Sequence, residues 1–286
     1  MFRNMLFAAA LLTGLSIGHC QELVNAGHWQ IPNDKDDFHV FLLMGQSNMS
    51  GFGKVMPEDR KPVPRVVKVP TNHEGDLKWL PASHPLHNRL RSDRFGLGLP
   101  FAIEYLKNKS NVVVGLIPVA WGGAPIDRLK KGTPIYDDAV EKTKFALKYG
   151  KLKGVLWHQG ESDTVTDART NSYEQKLHQL IQDLRKDFAN DQLPFVAGNL
   201  AEFYGTAKEH SQPERVKRIE KVRAILRALP SKLENTGFVE SKDCSSPDHH
   251  MVHFDRESYL MLGERYAKVF SEMMSRPKQK GGNHNN

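Results

Sequence analysis

Ser47 lies in the turn Gly45-Gln46-Ser47-Asn48-Met49, directly after the apolar run Phe41-Leu42-Leu43-Met44. A buried strand ending in glycine and a small hydroxyl residue presents that hydroxyl at a sheet edge, where α/β enzymes assemble their sites. Ser47 is thus a candidate nucleophile; the plainer alternative is a helix cap. Acyl transfer from an ester also needs an imidazole to take the hydroxyl proton and donors aimed at the developing oxyanion. Three segments hold such groups: Ala120-Trp121-Gly122-Gly123-Ala124, Trp157-His158-Gln159-Gly160-Glu161-Ser162-Asp163 and Asp248-His249-His250-Met251-Val252-His253-Phe254.

Each segment offers a different part. Paired glycines leave backbone N–H groups unshielded, so Gly123 can present one to a reacting carbonyl. Gln159 carries a side-chain NH₂ that can serve as another oxyanion donor. Glu161 follows on the same turn, within reach of a neighbouring histidine. His253 is the candidate general base. Its neighbours His249 and His250 raise the question of a metal. Zinc sites of this kind add a glutamate on one helix or cysteines, and neither accompanies this loop, so no metal and no other cofactor is expected. A glycine-rich phosphate loop and Gly-x-Ser-x-Gly are both absent.

The elements that must position these groups read as alternating strands and helices. Apolar runs at 40–44, 111–119, 154–158 and 195–197, with a shorter one at 237–240, predict five strands of a parallel sheet. Between and after them, 98–107, 136–149, 170–188, 213–229 and 256–274 carry apolar residues at helical spacing. That order implies right-handed crossovers and an α/β three-layer sandwich with ligands beyond the carboxyl ends of the strands. Residues 51–97 lack periodicity and are rich in proline, histidine and arginine. So long an irregular stretch beside a candidate nucleophile is expected to wall the site, with its histidines, arginines and Trp79 available to line a subsite.

The 286-residue chain suits one large α/β domain. Arg3, the apolar stretch 5–17 and small residues near Gly18 read as a secretory signal peptide over residues 1–20, too short for a membrane span. Secretion or export to the periplasm follows. Cys20 would leave with that peptide, so Cys244 would have no partner within the mature chain. The formal charge of +7 is spread among acidic residues, not gathered into a stripe, which argues against a nucleic-acid partner. The basic tail, 276–286, is expected to be disordered.

Four ordered blocks together resemble the SGNH hydrolases, and within them the sialate O-acetylesterase-like branch with the family six acetyl xylan esterases. They are Gly45-Gln46-Ser47-Asn48-Met49, Trp121-Gly122-Gly123, His158-Gln159-Gly160-Glu161-Ser162-Asp163 and His253-Phe254-Asp255, leading to Leu262-Gly263-Glu264-Arg265-Tyr266-Ala267. The resemblance implies a flavodoxin-like, mainly five-stranded α/β/α sandwich over residues 21–275. It implies Ser47 as nucleophile, His253 as base, and an oxyanion hole from the N–H groups of Ser47 and a glycine of the Gly122-Gly123 pair with the Gln159 amide. The implied reaction is metal-free hydrolysis of acetyl esters on a carbohydrate such as acetyl xylan, with acetylated sialic acid or simple short-chain esters as alternatives. A binding protein that kept the fold and lost activity is the reading of another class. One departure stands out: the family carries aspartate three residues before the catalytic histidine, and this chain has His250 there. Asp248 or Glu161 must then orient the imidazole.

Overall fold

Runs of valine, leucine, isoleucine and phenylalanine too continuous to leave one face in water end up covered on both. The computed structural model describes residues 30–72, 76–87, 94–247 and 249–276; the expected signal peptide, residues 277–286 of the expected tail and Asp248 lie outside the described residues. In chain order the elements are β1 (Phe38–Gly45), the one-turn α1 (Ser47–Ser50), β2 (Val66–Lys68), β3 (Leu80–Pro81), α2 (Gly98–Leu106), β4 (Val113–Ala120), α3 (Pro134–Ala146), β5 (Lys151–His158), α4 (Asp167–Asp187), β6 (Phe195–Gly198), α5 (Pro213–Lys232), β7 (Thr236–Val239) and α6 (Arg256–Ser275). Every residue of β4 and all but His39 of β1 are buried, as central parallel strands require.

The strands form one sheet in the order β3-β2-β4-β1-β5-β6-β7, parallel except for the antiparallel β3. The order reverses at β1, whose neighbours β4 and β5 both follow it in sequence. The crevice beyond β1 is therefore the topological switch point, where open α/β sheets bind ligands. Helices cover both sides, with α2 packed on α6, α4 on α5, and α3 against the central strands. Thr133, Thr166 and Asp255 cap α3, α4 and α6 by accepting bonds from backbone N–H groups. Among the described residues no helix is long and apolar enough to cross a membrane.

The five expected strands are β1, β4, β5, β6 and β7. Two more, β2 and β3, come from the stretch 51–97, which is not merely a wall. They are too short to show a period of two, and Pro81 removes a donor from the edge strand. The same stretch corrects the expectation for Trp79. Its indole is only 8% exposed, packs edge-on against Phe38 (4.9 Å between centroids, 70°) and occupies the space over Gly115. A Cβ at position 115 would stand 2.7 Å from the Trp79 ring. His84 and His87 are also buried, and His84 stacks on Phe95, so Trp79, His84 and His87 do not line a sugar subsite.

Candidate active site

The three turns at the switch point are stitched together by backbone before any side chain acts. The Gln46 N–H donates to the His158 carbonyl (3.0 Å), and the Trp121 N–H donates to the Gly45 carbonyl (3.1 Å). At Gly45, φ is +154°, and a Cβ there would run into the His158 carbonyl oxygen, so only glycine lets β1 end this close to β5. The chain then enters α1 with Ser47 as its first residue. A first helical N–H has no intrahelical acceptor, which leaves that of Ser47 available to an oxyanion.

The Ser47 Oγ lies 3.1 Å from His253 Nε2, within reach for the hydroxyl to donate to the imidazole. These two sequence-derived candidates are 206 positions apart and meet at the carboxyl end of β1. Phe52 lies flat on the His253 ring, 3.6 Å between centroids and 3° between planes. The other face of Phe52 carries the Arg94 guanidinium, 4.2 Å from the ring centroid. Phe52 and Arg94 sit side by side because Gly53 and Phe95 exchange backbone hydrogen bonds of 3.1 and 2.8 Å. On the other side of the loop, buried Phe254 wedges edge-on against His158, Phe203 and Tyr259 and fixes the chain at His253.

Behind Ser47 lies a buried polar layer that hydropathy alone does not reveal. The Asn48 amide donates to Glu161 Oε1 (2.6 Å) and to the Val252 carbonyl (3.0 Å), and its oxygen accepts from the Tyr259 hydroxyl (3.0 Å). Gln46 Oε1 accepts from Gln159 Nε2 (3.2 Å) and from the N–H groups of Gly160 (3.4 Å) and Ser162 (3.3 Å). Asp163 Oδ2 accepts from Gln159 (2.5 Å) and from the Ile126 N–H (2.9 Å). Burial pushes the Glu161 carboxyl up to about 7 and that of Asp163 up to about 6, only partly offset by these bonds. His158 is fully buried. The Tyr266 hydroxyl donates to the Trp157 carbonyl (2.7 Å) and so accepts from His158 Nδ1 (3.0 Å), and burial brings the imidazole down to about 3. A histidine held neutral in this way is packing, not a base.

The remaining candidates divide. Gly122 and Gly123 are exposed, with open space where a Cβ would stand, and Gly123 has φ +68°, so its backbone is open to a ligand. Gln159 departs from its expected oxyanion role: it is closed to solvent, and its NH₂ donates internally to Ala124 O (3.1 Å), Asp163 and Gln46. Gln159 and Asp163 instead hold both ends of the segment that follows the Gly122-Gly123 pair. Glu161 is engaged by Asn48 rather than by His253, and Asp248 lies outside the described residues. His250 is more than half exposed with Glu209 3.8 Å away. Among the described residues no group of three or more His, Cys, Asp or Glu stands in metal-binding geometry.

Reading the sequence missed Asn48, Asp163, Gln46 and Phe52. All three stand in the same short polar blocks as residues already singled out, directly after apolar strands, and that position was the available signal. Phe52 stands in an aperiodic stretch that offered none.

Comparison with known proteins bears on this arrangement. A family described as carbohydrate esterase, sialic acid-specific acetylesterase, matches residues 37–272. A probable carbohydrate esterase of Arabidopsis thaliana is 29% identical over 252 residues, 81% of this chain and 89% of that protein. The X-ray structure of that plant protein superposes with a TM-score of 0.70 over 82% of this chain and 98% of its own. The fold is shared with NanS (18% identity, TM-score 0.66, 85% and 99% of the two chains) and with a carbohydrate acetylesterase from Xanthomonas citri (20%, 0.57, 82% and 56%).

Proposed function

Because this chain belongs to the carbohydrate esterase family of sialic acid-specific acetylesterases, we propose that it removes O-acetyl groups from a carbohydrate through a Ser47 acyl-enzyme. The observation that carries this reading is the 3.1 Å approach of Ser47 Oγ to His253 Nε2 at the sheet's switch point. His253 takes the Ser47 proton as Oγ attacks the acetyl carbonyl carbon, and the N–H groups of Ser47 and Gly123 face the oxyanion. Collapse of the tetrahedral intermediate breaks the bond to the sugar oxygen, which receives the proton from His253 and leaves as an alcohol. Water, deprotonated by the same imidazole, then attacks the acetyl-serine, and acetate and free Ser47 result. Asp248 is the carboxylate proposed to orient His253, since Glu161 is held by Asn48.

Two exposed glycines beside the nucleophile leave room for a bulky alcohol on one side of the ester, which supports a sugar over a small free ester. Acetylated xylan or a similar polysaccharide is the proposed substrate, with O-acetylated sialic acid as the alternative that the family description favours. The site of action is proposed to be extracellular or periplasmic, on the strength of Arg3 and the apolar stretch 5–17. N-terminal sequencing of the mature protein should begin near Gln21.

Turnover of p-nitrophenyl acetate by the wild type and by Ser47→Ala tests the mechanism. The variant should lose about 10⁴-fold or more in kcat. Equal release by both proteins would favour a binding protein on an esterase fold. Acetate release from acetylated xylan and from O-acetylated sialic acid then ranks the substrates by kcat/KM.

A further inference from the structure

Asn48 follows the nucleophile and reaches the residue before the base. Its single amide nitrogen bridges Glu161 Oε1 at 2.6 Å and the Val252 carbonyl at 3.0 Å, while its oxygen accepts from Tyr259 at 3.0 Å. Both N–H donors of that amide and one of the two lone pairs on its oxygen are therefore committed. Asn48 is fully buried and Glu161 nearly so, which makes each of these bonds costly to lose and geometrically restrictive. The two bonds from one nitrogen tie three separate parts of the chain: the turn after β1, the turn after β5, and the loop before α6. We infer that Asn48, anchored by Glu161 and aligned by Tyr259, is a positioning residue that sets the distance between Ser47 and His253.

The inference rests on the Ser47–His253 reading above and adds to it a cause for the separation of the pair. Asn48 touches no reacting atom. It acts through the peptide it holds: Val252 O fixes where the His253 backbone begins, and Phe52 and Phe254 fix the ring and the chain beyond it. Glu161 supplies an acceptor that keeps the amide from turning over, and the Tyr259 hydroxyl donates to its oxygen in that orientation. A turned-over amide would set its oxygen against both the Val252 carbonyl and the Glu161 carboxylate. Glu161 on this account matters as an acceptor and not as the charge partner of His253.

The test compares kcat, KM and melting temperature on p-nitrophenyl acetate for wild type, Ser47→Ala, Asn48→Ala, Glu161→Ala, Glu161→Gln and Tyr259→Phe. Asn48→Ala should lower kcat by about 10- to 100-fold with KM within about twofold, because a misplacement of an ångström acts on the chemical step. Glu161→Ala should fall in the same range. Glu161→Gln, which still offers an oxygen to Asn48, should recover kcat to within about threefold of wild type, and Tyr259→Phe should lie between. A folded Asn48→Ala with unchanged kcat overturns the inference. So does a Glu161→Gln as impaired as Glu161→Ala, which would mark Glu161 as the needed charge; if Asn48→Ala does not fold, this second contrast decides. Wild-type turnover that does not depend on Ser47 instead sinks the proposed function itself, whatever the other variants do.

Discussion

Among single residues, Glu161 has a cost that can be measured apart from catalysis. Burial holds its carboxyl near 7 against a usual value of 4.5, so between those pH values the folded chain keeps a proton that the unfolded chain has released. Stability from this group is full below about 4.5 and is lost as pH rises toward 7. Glu161→Gln never ionises, so its unfolding free energy relative to wild type should grow by on the order of 2 kcal/mol from pH 4.5 to 8. Urea denaturation at both pH values checks this; a constant difference would mean the carboxylate is solvated or otherwise paired. Phe52→Ala should lower kcat by about 3- to 10-fold in steady-state assays, the loss expected when one ring stack is removed. Ser47, His253, Gly123 and Glu161 stood out as candidates in the sequence because they lie in short polar or paired-glycine segments directly after apolar strands or before a helical period. The roles of Gln159 and Asn48 were not legible there, since which way an amide points is decided by acceptors from distant turns.

Elements repeat that contrast. The helices α2 to α6 fall within a few residues of where their apolar spacing puts them, because a 3.6-residue period over several turns is a strong signal. β2 and β3 are three and two residues long and carry no period, so they emerge only by pairing with β4 and with each other. The stretch holding them is fastened to the start of α6 by Arg256, whose Nε and Nη2 donate to Asp59 at 3.1 and 2.8 Å. Arg256→Ala should destabilise the chain by about 1–3 kcal/mol and speed proteolytic cleavage within 51–97. Cleavage at the wild-type rate would show that the stretch is held elsewhere. At the end of β1, Gly45→Ala combines a strained φ with a collision against the His158 carbonyl. It should cost about 2 kcal/mol or more in denaturant unfolding and should impair Ser47 even where the variant folds.

At the scale of the molecule, the reversal of strand order at β1 gathers four blocks spread over 211 positions, Gly45 to Asp255, into one crevice. The sequence announced the alternation that builds such a sheet but could not state the order, because pairing is non-local. Among the described residues stability rests on burial, not on covalent links: Cys244, half-buried with its thiol pushed up to about 11, is their lone cysteine. The melting temperature of a chain that starts at Gln21, the proposed mature form, should therefore be the same with and without reductant. A fall of several degrees under reduction would reveal a disulfide between chains. The seat of Trp79 over Gly115 has one more consequence, for inheritance and for engineering. Residues 79 and 115 are free to change only together, since any side chain at 115 evicts the indole and any small residue at 79 leaves a hole beside Phe38. A stretch 51–97 transplanted from a relative will take only if its resident at 79 matches the strand it must sit on.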